Sequence, residues 1–188
     1  MRATSTTSAS GDLLVSHQGP RAVLVGPPGS GKSTVGKQLA ARWGVDFRDT
    51  DREIETAVGA TVSDIFVQQG EDHFRLLERE AVAKGLAGHR GVLAIGGGAV
   101  LSDEVRAGLA GRLVIHLDVG LAAAMQRLKM NRSRPLLVGN MRGRWQQLAD
   151  ERRPLYLEVA SVTVSTDGLS PAQVVDAVVA FVDEESGK

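Results

Sequence analysis

Short apolar runs alternate along the chain with longer segments in which apolar residues recur every three or four positions. The short runs are typical of buried strands, and the longer segments are typical of helices that cover a sheet. Strands are predicted near residues 21–25, 45–49, 91–96, 112–118 and 159–165. Helices are predicted near residues 32–43, 51–58, 62–69, 71–88, 102–110, 119–128, 142–158 and 171–184. This alternation predicts an α/β fold with a five-stranded parallel sheet flanked by helices in three layers.

The first predicted strand leads into the segment VGPPGSGKST, which runs from Val25 to Thr34 and fits the spacing G-x-x-x-x-G-K-[ST]. Glycines in such a loop let successive backbone N–H groups turn inward around phosphate oxygens, and the following helix adds the positive end of its dipole. Lys32 is expected to reach the β- and γ-phosphates, and the Ser33 hydroxyl to bind the bridging Mg²⁺. The segment therefore predicts a site for ATP and Mg²⁺. The predicted nucleotide-binding residues in it are Gly29, Ser30, Gly31, Lys32, Ser33 and Thr34.

Two acidic residues follow the second predicted strand in the segment FRDTD. If the chain stays extended there, Asp49 and Asp51 point to the same side, because side chains of a strand alternate with period 2. Beside a phosphate loop, one carboxylate could orient Mg²⁺ and the other could accept a proton from an attacking hydroxyl. Asp51 also precedes the predicted helical segment REIE, so a helix N-cap is an equally weighted interpretation.

The segment AIGGGAV closes the third predicted strand with Gly96, Gly97 and Gly98, named here the glycine triplet. Three successive glycines leave bare backbone, which suits the close approach of a ligand or of another strand. The acidic residue that usually closes this strand in phosphate-loop enzymes is absent from the segment. Asp49 is therefore the candidate carboxylate for the metal.

Basic residues concentrate between Arg127 and Arg153. The stretch KMNRSRPLLVGNMRGR within this region has little apolar periodicity and contains one proline and two glycines. It predicts a mobile lid at about residues 129–143 that closes over phosphates and excludes water. The alternative is a solvated basic surface.

Composition limits the partners of the chain. Among its 188 residues, Lys plus Arg and Asp plus Glu number 22 each, so no net positive field is available to attract nucleic acid or an anionic membrane. The chain has no cysteine and no apolar stretch near the length of a membrane span. We expect a small-molecule substrate and a cytoplasmic monomer. Residues 1–19 are rich in Ser and Thr and are predicted to be a disordered extension, and residues 20–188 to be a single domain.

Six segments, GPPGSGKST, DTD, HFRLLE, GGGAV, RPLL and ERRPLY, together resemble the shikimate kinases, in particular actinobacterial forms, in both order and spacing. The resemblance covers the chain from about Arg21 to the last predicted helix. It implies transfer of the γ-phosphate of ATP to the 3-hydroxyl of shikimate, a step toward aromatic amino acids. It also implies that the substrate-binding region lies at about residues 50–80.

The resemblance implies roles for individual residues. Lys32, Asp51 and Arg134 would be catalytic, with Asp51 holding the shikimate hydroxyl as its base or orienting acceptor, and Ser33 and Asp49 would serve the metal. Arg127 would stack on adenine, and Arg134, in the lid, would contact nucleotide and substrate. The implied shikimate-binding residues are Asp51, Arg75, Gly97, Gly98 and Arg152, with Glu78 bracing Arg75, and Phe66, Phe74, Pro135 and Leu136 forming an apolar wall.

Two alternatives remain open at this point. A phosphate-loop switch would use residues 26–33 as well, although no base-reading N-K-x-D-like motif is found. A gluconate-type sugar kinase would share the fold and could also use an arginine for its acidic acceptor.

Overall fold

The computed structural model describes residues 19–129 and 140–187. Within them, five strands form one parallel sheet in the order β2-β3-β1-β4-β5. The strands are β1 (Ala22–Val25), β2 (Phe47–Asp49), β3 (Val92–Ala94), β4 (Val114–Asp118) and β5 (Val162–Ser165). The helices are α1 (Lys32–Trp43), α2 (Thr50–Val58), α3 (Val62–Gln69), α4 (Glu71–Gly88), α5 (Asp103–Leu109), α6 (Leu121–Lys129), α7 (Met141–Val159) and α8 (Pro171–Ser186), with a short 3-10 helix at Ala99–Leu101. The predicted fold class is confirmed.

The sheet is covered on both faces, which explains why its central strand is apolar throughout. All four residues of β1 are buried. Leu24 belongs to the core cluster shared with α1 and α8, whereas Val23 and Val25 belong to the cluster shared with α4, α5 and α7. Alternate residues of β1 thus contribute to two separate core clusters, one on each face of the sheet.

The observed strands are shorter than those predicted from apolar runs. Ile95 and Gly96 were predicted within the third strand, but β3 ends at Ala94 and these residues begin the loop to the 3-10 helix. The predicted start of the fifth strand at residue 159 is wrong, because Val159 ends α7 and β5 begins at Val162. The apolar runs continue into the buried ends of the loops that connect strands and helices. Apolar character alone therefore does not mark the residue at which strand pairing stops.

The topology places the carboxyl ends of β1, β2 and β3 at one edge of the sheet. The connection that leaves β1 runs to one side of the sheet, toward β2, whereas the connection that leaves the neighbouring β4 runs to the other side, toward β5. Such a switch point forms a ligand crevice in open α/β sheets. The phosphate loop, the Asp49 end of β2 and the glycine triplet all open onto this edge. Near the amino terminus, Gly19 and Pro20 are already buried, whereas the rest of the predicted extension lies outside the described residues.

Candidate active site

The phosphate loop, residues 26–33, adopts a conformation that depends on glycine. Gly26, Gly29 and Gly31 have φ values of 145°, 85° and 94°, which residues with a Cβ rarely adopt. A Cβ at Gly29 would also lie 3.1 Å from the Ala124 carbonyl oxygen. The Gly31 backbone caps α1 without a side chain, so the first turn of the helix opens directly onto the loop.

Lys32 and Ser33 sit in the first turn of α1 and are both partly buried. Lys32 Nζ donates to the Gly26 carbonyl oxygen at 2.7 Å. Ser33 Oγ donates to Asp49 Oδ2 at 2.5 Å, which joins the loop to the end of β2. Hydroxyl and carboxylate oxygens are the hard ligands that Mg²⁺ prefers, usually few from the protein and the remainder from phosphate and water. Within residues 19–129 and 140–187, no group of three or more His, Cys, Asp or Glu side chains is arranged to hold a metal ion.

Asp51 reaches the site from a helix rather than from an extended strand. The strand ends at Asp49, whose side chain caps α2 by accepting from the Asp51 N–H at 3.2 Å. The extended-chain argument for this pair is therefore wrong, and the capping residue is Asp49. The polar Thr50 between them is fully buried, and its hydroxyl accepts from the Gly96 N–H at 3.1 Å. That bond ties the start of α2 to the glycine triplet.

Charged side chains from α2 and α4 lie against the glycine triplet. A Cβ at Gly96 would lie 2.2 Å from Glu78 Oε1 and 2.6 Å from Asp51 Oδ1, so both carboxylates lie against this residue. A Cβ at Gly98 would lie 2.0 Å from Arg75 Nη1. At Gly96 and Gly98 a side chain is therefore excluded, because charged groups from α2 and α4 occupy that space.

Arg75 is held on α4 by two carboxylates. Its Nη1 donates to Glu78 Oε2 at 2.6 Å and its Nη2 to Glu71 Oε1 at 2.9 Å. The guanidinium also lies 5.7 and 5.6 Å from the ring centres of Phe66 and Phe74, which lie 4.6 Å from each other. Its two carboxylate partners and the two rings thus fix the orientation of the planar cation.

Glu78 is only 2% exposed. Burial raises the pKa of its carboxyl, and the nearby Asp51 charge raises it further, whereas Arg75 and Arg152 oppose the change. Two carboxylates and two arginines therefore lie within electrostatic reach of each other at the glycine triplet.

Arg152 approaches the triplet from α7 and is buried. Its Nη1 donates to the Gly97 carbonyl oxygen at 3.2 Å, and Tyr156 Oη donates to the same oxygen at 2.5 Å. Arg152 Nε is buried with no hydrogen-bond partner among the described residues. Arg75 and Arg152 thus flank the triplet from α4 and α7.

Arg127 binds backbone at the other side of the phosphate loop. Its Nη1 donates to the Gly29 carbonyl oxygen at 3.1 Å and to Thr166 Oγ1 at 2.9 Å, and its Nη2 donates to the Thr166 carbonyl oxygen at 2.8 Å. The side chain therefore connects the loop to the end of β5. Its implied stacking on adenine stays a prediction.

Three residues with implied roles, Arg134, Pro135 and Leu136, lie outside the described residues, as does most of the predicted lid. The predicted lid boundaries at 129 and 143 overlap helices, since Lys129 ends α6 and α7 begins at Met141.

One family recurs in the comparisons with known proteins. The family model for shikimate kinase matches residues 28–183. The shikimate kinase of Frankia casuarinae is 58% identical over 154 residues, covering 82% of this chain and 68% of that protein. The shikimate kinase of Thermobifida fusca is 54% identical over 154 residues, covering 82% of this chain and 90% of that protein. The solved structure of a shikimate kinase from Acinetobacter baumannii in complex with shikimate has a TM-score of 0.86 and 34% identity, covering 92% of this chain and 97% of that one.

The chain belongs to the shikimate kinase family. The resemblance inferred from the six motifs is confirmed, and the alternatives of a phosphate-loop switch and a gluconate-type kinase are not retained. Within the part of the chain that the structure describes, no helix combines the length and the apolar character needed to cross a membrane.

Sequence reasoning missed two residues of α7 that contact the site of this shikimate kinase family member. Trp145 Nε1 donates to the Pro28 carbonyl oxygen at 2.9 Å, and Tyr156 donates to Gly97 as described above. Both side chains are almost fully buried. A signal was present in the spacing, because positions 145, 152 and 156 fall on one face of a helix.

Proposed function

We propose that the protein transfers the γ-phosphoryl group of ATP to the 3-hydroxyl of shikimate, forming shikimate 3-phosphate and ADP. The observation that carries the proposal is that the phosphate loop lies next to a glycine triplet flanked by a carboxylate and two arginines. A Cβ at Gly97 would lie 3.3 Å from the Gly26 carbonyl oxygen, so the glycine triplet contacts the phosphate loop directly. Asp51, Arg75 and Arg152 lie around the same triplet.

On the acceptor side, Arg75 and Arg152 bind the shikimate carboxylate from two helices, and the Phe66 and Phe74 rings support the apolar side of the pocket. Two guanidinium groups suit a carboxylate because each can donate a pair of parallel N–H bonds. Fixing the carboxylate fixes the ring and places the 3-hydroxyl opposite Asp51. Glu78 serves this arrangement indirectly by holding Arg75.

In the transfer step, the 3-oxygen of shikimate forms a bond to the γ-phosphorus while the bond from that phosphorus to the β–γ bridging oxygen breaks. Asp51 accepts the hydrogen bond, and then the proton, of the attacking hydroxyl. Lys32 stabilises the charge that develops on the transferred group and on the leaving oxygen of ADP. Lys32 already points at main-chain oxygens of the loop in this structure, so it exchanges these partners for phosphate oxygens.

Ser33 and Asp49 are the residues that would hold Mg²⁺, Ser33 as a direct ligand and Asp49 through water. When bound, the ion would supply positive charge that offsets the negative charge of the ATP phosphates. We further propose that Arg127 contacts adenine, that Arg134 of the predicted lid contacts the transferred phosphate, and that Pro135 and Leu136 complete the apolar wall. A cytoplasmic location and a monomeric state belong to the same proposal.

The test is a coupled assay of ADP release with shikimate or gluconate as acceptor, with the product identified by mass spectrometry. We expect shikimate-dependent ADP release and a product heavier by one phosphoryl group, with no turnover of gluconate. Arg152→Leu should raise the KM for shikimate by roughly ten-fold or more, because a charge-assisted bond contributes about 1.5–3 kcal/mol. Arg153→Leu is the matched control, since Arg153 is 59% exposed and pairs with Asp118. Equal effects of the two substitutions, or turnover of gluconate alone, would contradict the proposal.

A further inference from the structure

The buried residues of α7 form a line of donors along one face of the helix. They are Trp145, Arg152 and Tyr156, at spacings of seven and four residues. At about 100° per residue these spacings return to nearly the same side of the helix. All three donate to backbone carbonyl oxygens of functional loops, Trp145 to Pro28 and the other two to Gly97.

Tyr156 makes the shorter of the two bonds to the Gly97 carbonyl oxygen, at 2.5 Å against 3.2 Å for Arg152. Burial raises the pKa of Tyr156 to about 12, so the phenol keeps its proton and remains a donor at neutral pH. A carbonyl oxygen has two lone pairs and can accept both bonds at once. Its direction is thus set by two side chains of the same helix.

The Tyr156 ring is itself held in place. It is 1% exposed and stacks on His116 of β4, with ring centres 5.1 Å apart. His116 Nδ1 lies 3.3 Å from Thr163 Oγ1 on β5, so the stack is supported by the next strand of the sheet. A phenol fixed in this way can hold a loop carbonyl, because the loop yields more easily than the sheet.

We propose that Tyr156 is a positioning residue for the acceptor: through the Gly97 carbonyl it fixes the peptide between Gly97 and Gly98, and with it the guanidinium of Arg152. This inference rests on the proposed function, in which the triplet and Arg152 bind shikimate. In a trans peptide the N–H lies opposite the C=O. The bond from Tyr156 therefore turns the Gly98 N–H away from α7, and it leaves Arg152 bonded to a carbonyl that cannot rotate.

The kinetic test is Tyr156→Phe, which keeps the ring and its stack on His116 and removes only the hydroxyl. We expect the KM for shikimate to rise about five- to ten-fold, in line with the loss of one buried hydrogen bond. The KM for ATP should change less than two-fold, because the ATP side depends on other loop contacts. The control is Val105→Ala, a truncation in the same core cluster that removes no donor. The proposal would be overturned if Tyr156→Phe raised the KM for shikimate and the KM for ATP alike, and if Val105→Ala did the same at an equal loss of thermal stability. Tyr156 would then have a merely structural role.

A second measurement does not depend on the identity of the substrate. In the protein without substrate, the ¹H–¹⁵N resonance of Gly98 reports the hydrogen bonding of the carbonyl in the same peptide. Tyr156→Phe should shift this resonance, whereas Val105→Ala should leave it in place. An unchanged Gly98 resonance in Tyr156→Phe would overturn the proposal. If wild-type protein failed to phosphorylate shikimate, the proposed function would fall, while this spectrum would still decide whether Tyr156 fixes the peptide.

Discussion

Gly98→Ala, which adds a single methyl group, should weaken the binding of shikimate and leave the binding of ATP unchanged. Gly98 has φ −97° and ψ −10°, so alanine at this position does not need a left-handed backbone. Its Cβ would instead lie 2.0 Å from Nη1, 2.6 Å from Cζ and 2.8 Å from Nη2 of Arg75. The perturbation is therefore a steric one, directed at one guanidinium group.

The size of the effect follows from the bonds that this guanidinium must give up. To reach ordinary van der Waals contact at 3.4 Å, Nη1 has to retreat by 1.4 Å (3.4 − 2.0). A movement of that size breaks its bond to Glu78, 2.6 Å long, and leaves a buried carboxylate without its closest cation. The displaced guanidinium also loses its bond to the shikimate carboxylate. A charge-assisted hydrogen bond contributes about 1.5–3 kcal/mol, so loss of this one corresponds to a rise in the KM for shikimate of roughly ten-fold to a hundred-fold.

The assay compares the KM for shikimate and for ATP in Gly98→Ala with the same values in Gly88→Ala. Gly88 ends α4, the helix that carries Arg75, and a Cβ there would meet no atom within 4 Å. We expect the KM for ATP to stay within two-fold in both variants and thermal unfolding to remain cooperative. A KM for shikimate that stays within two-fold in Gly98→Ala would refute the placement of Arg75 as an acceptor ligand.

The remaining predictions concern the phosphate loop and the His116 side chain. Lys32→Ala should lower kcat/KM by at least about 10²-fold with an unchanged circular dichroism spectrum. Lys37→Ala, a substitution at an exposed position of the same helix, should leave kcat/KM unchanged. Near-normal turnover of Lys32→Ala would contradict the assignment of the loop to nucleotide binding. Burial lowers the pKa of His116. As the pH falls below 6.5, the imidazole therefore binds a proton in the unfolded chain before it does so in the folded protein. The stability contributed by the neutral ring is complete above pH 6.5 and is lost as the pH falls toward the folded pKa, by at most about 1.4 kcal/mol per pH unit. In urea titrations between pH 7.5 and 5.5, His116→Gln should reduce the dependence of the unfolding free energy on pH. An unaltered dependence would show that other groups cause it.

The sequence was sufficient to predict the elements and their order because each carries a local signal. The phosphate loop is fixed by glycines at set spacing, and the helices by the recurrence of apolar residues. The predicted helix bounds lie within two residues of the observed ones. What the sequence could not provide was the position at which strand pairing stops, since buried loops and buried strands are equally apolar.

Parts of the site depended on tertiary contacts that leave no local pattern. Asp49 and Asp51 were placed together for the wrong reason, because the chain turns into α2 one residue earlier than the extended-strand argument assumed. Tyr156 and Trp145 were not predicted as site residues, since an aromatic residue on a helix most often belongs to the core. Their contacts with the two loops depend on the carbonyl oxygens of Gly97 and Pro28 lying against α7, which no local sequence pattern indicates.

The line of donors on α7 also determines which changes of chain length the helix can tolerate. Tyr156 lies eleven positions after Trp145, close to three full turns. Inserting or deleting one residue between them would rotate one end by about 100° and shift it by about 1.5 Å, so that one loop would lose its bond whichever end stayed in place. Substitutions on the outer face, such as at the half-exposed Leu157, carry no such restriction. Among homologous chains, gaps should therefore be found before Trp145 or after Tyr156 and not between them.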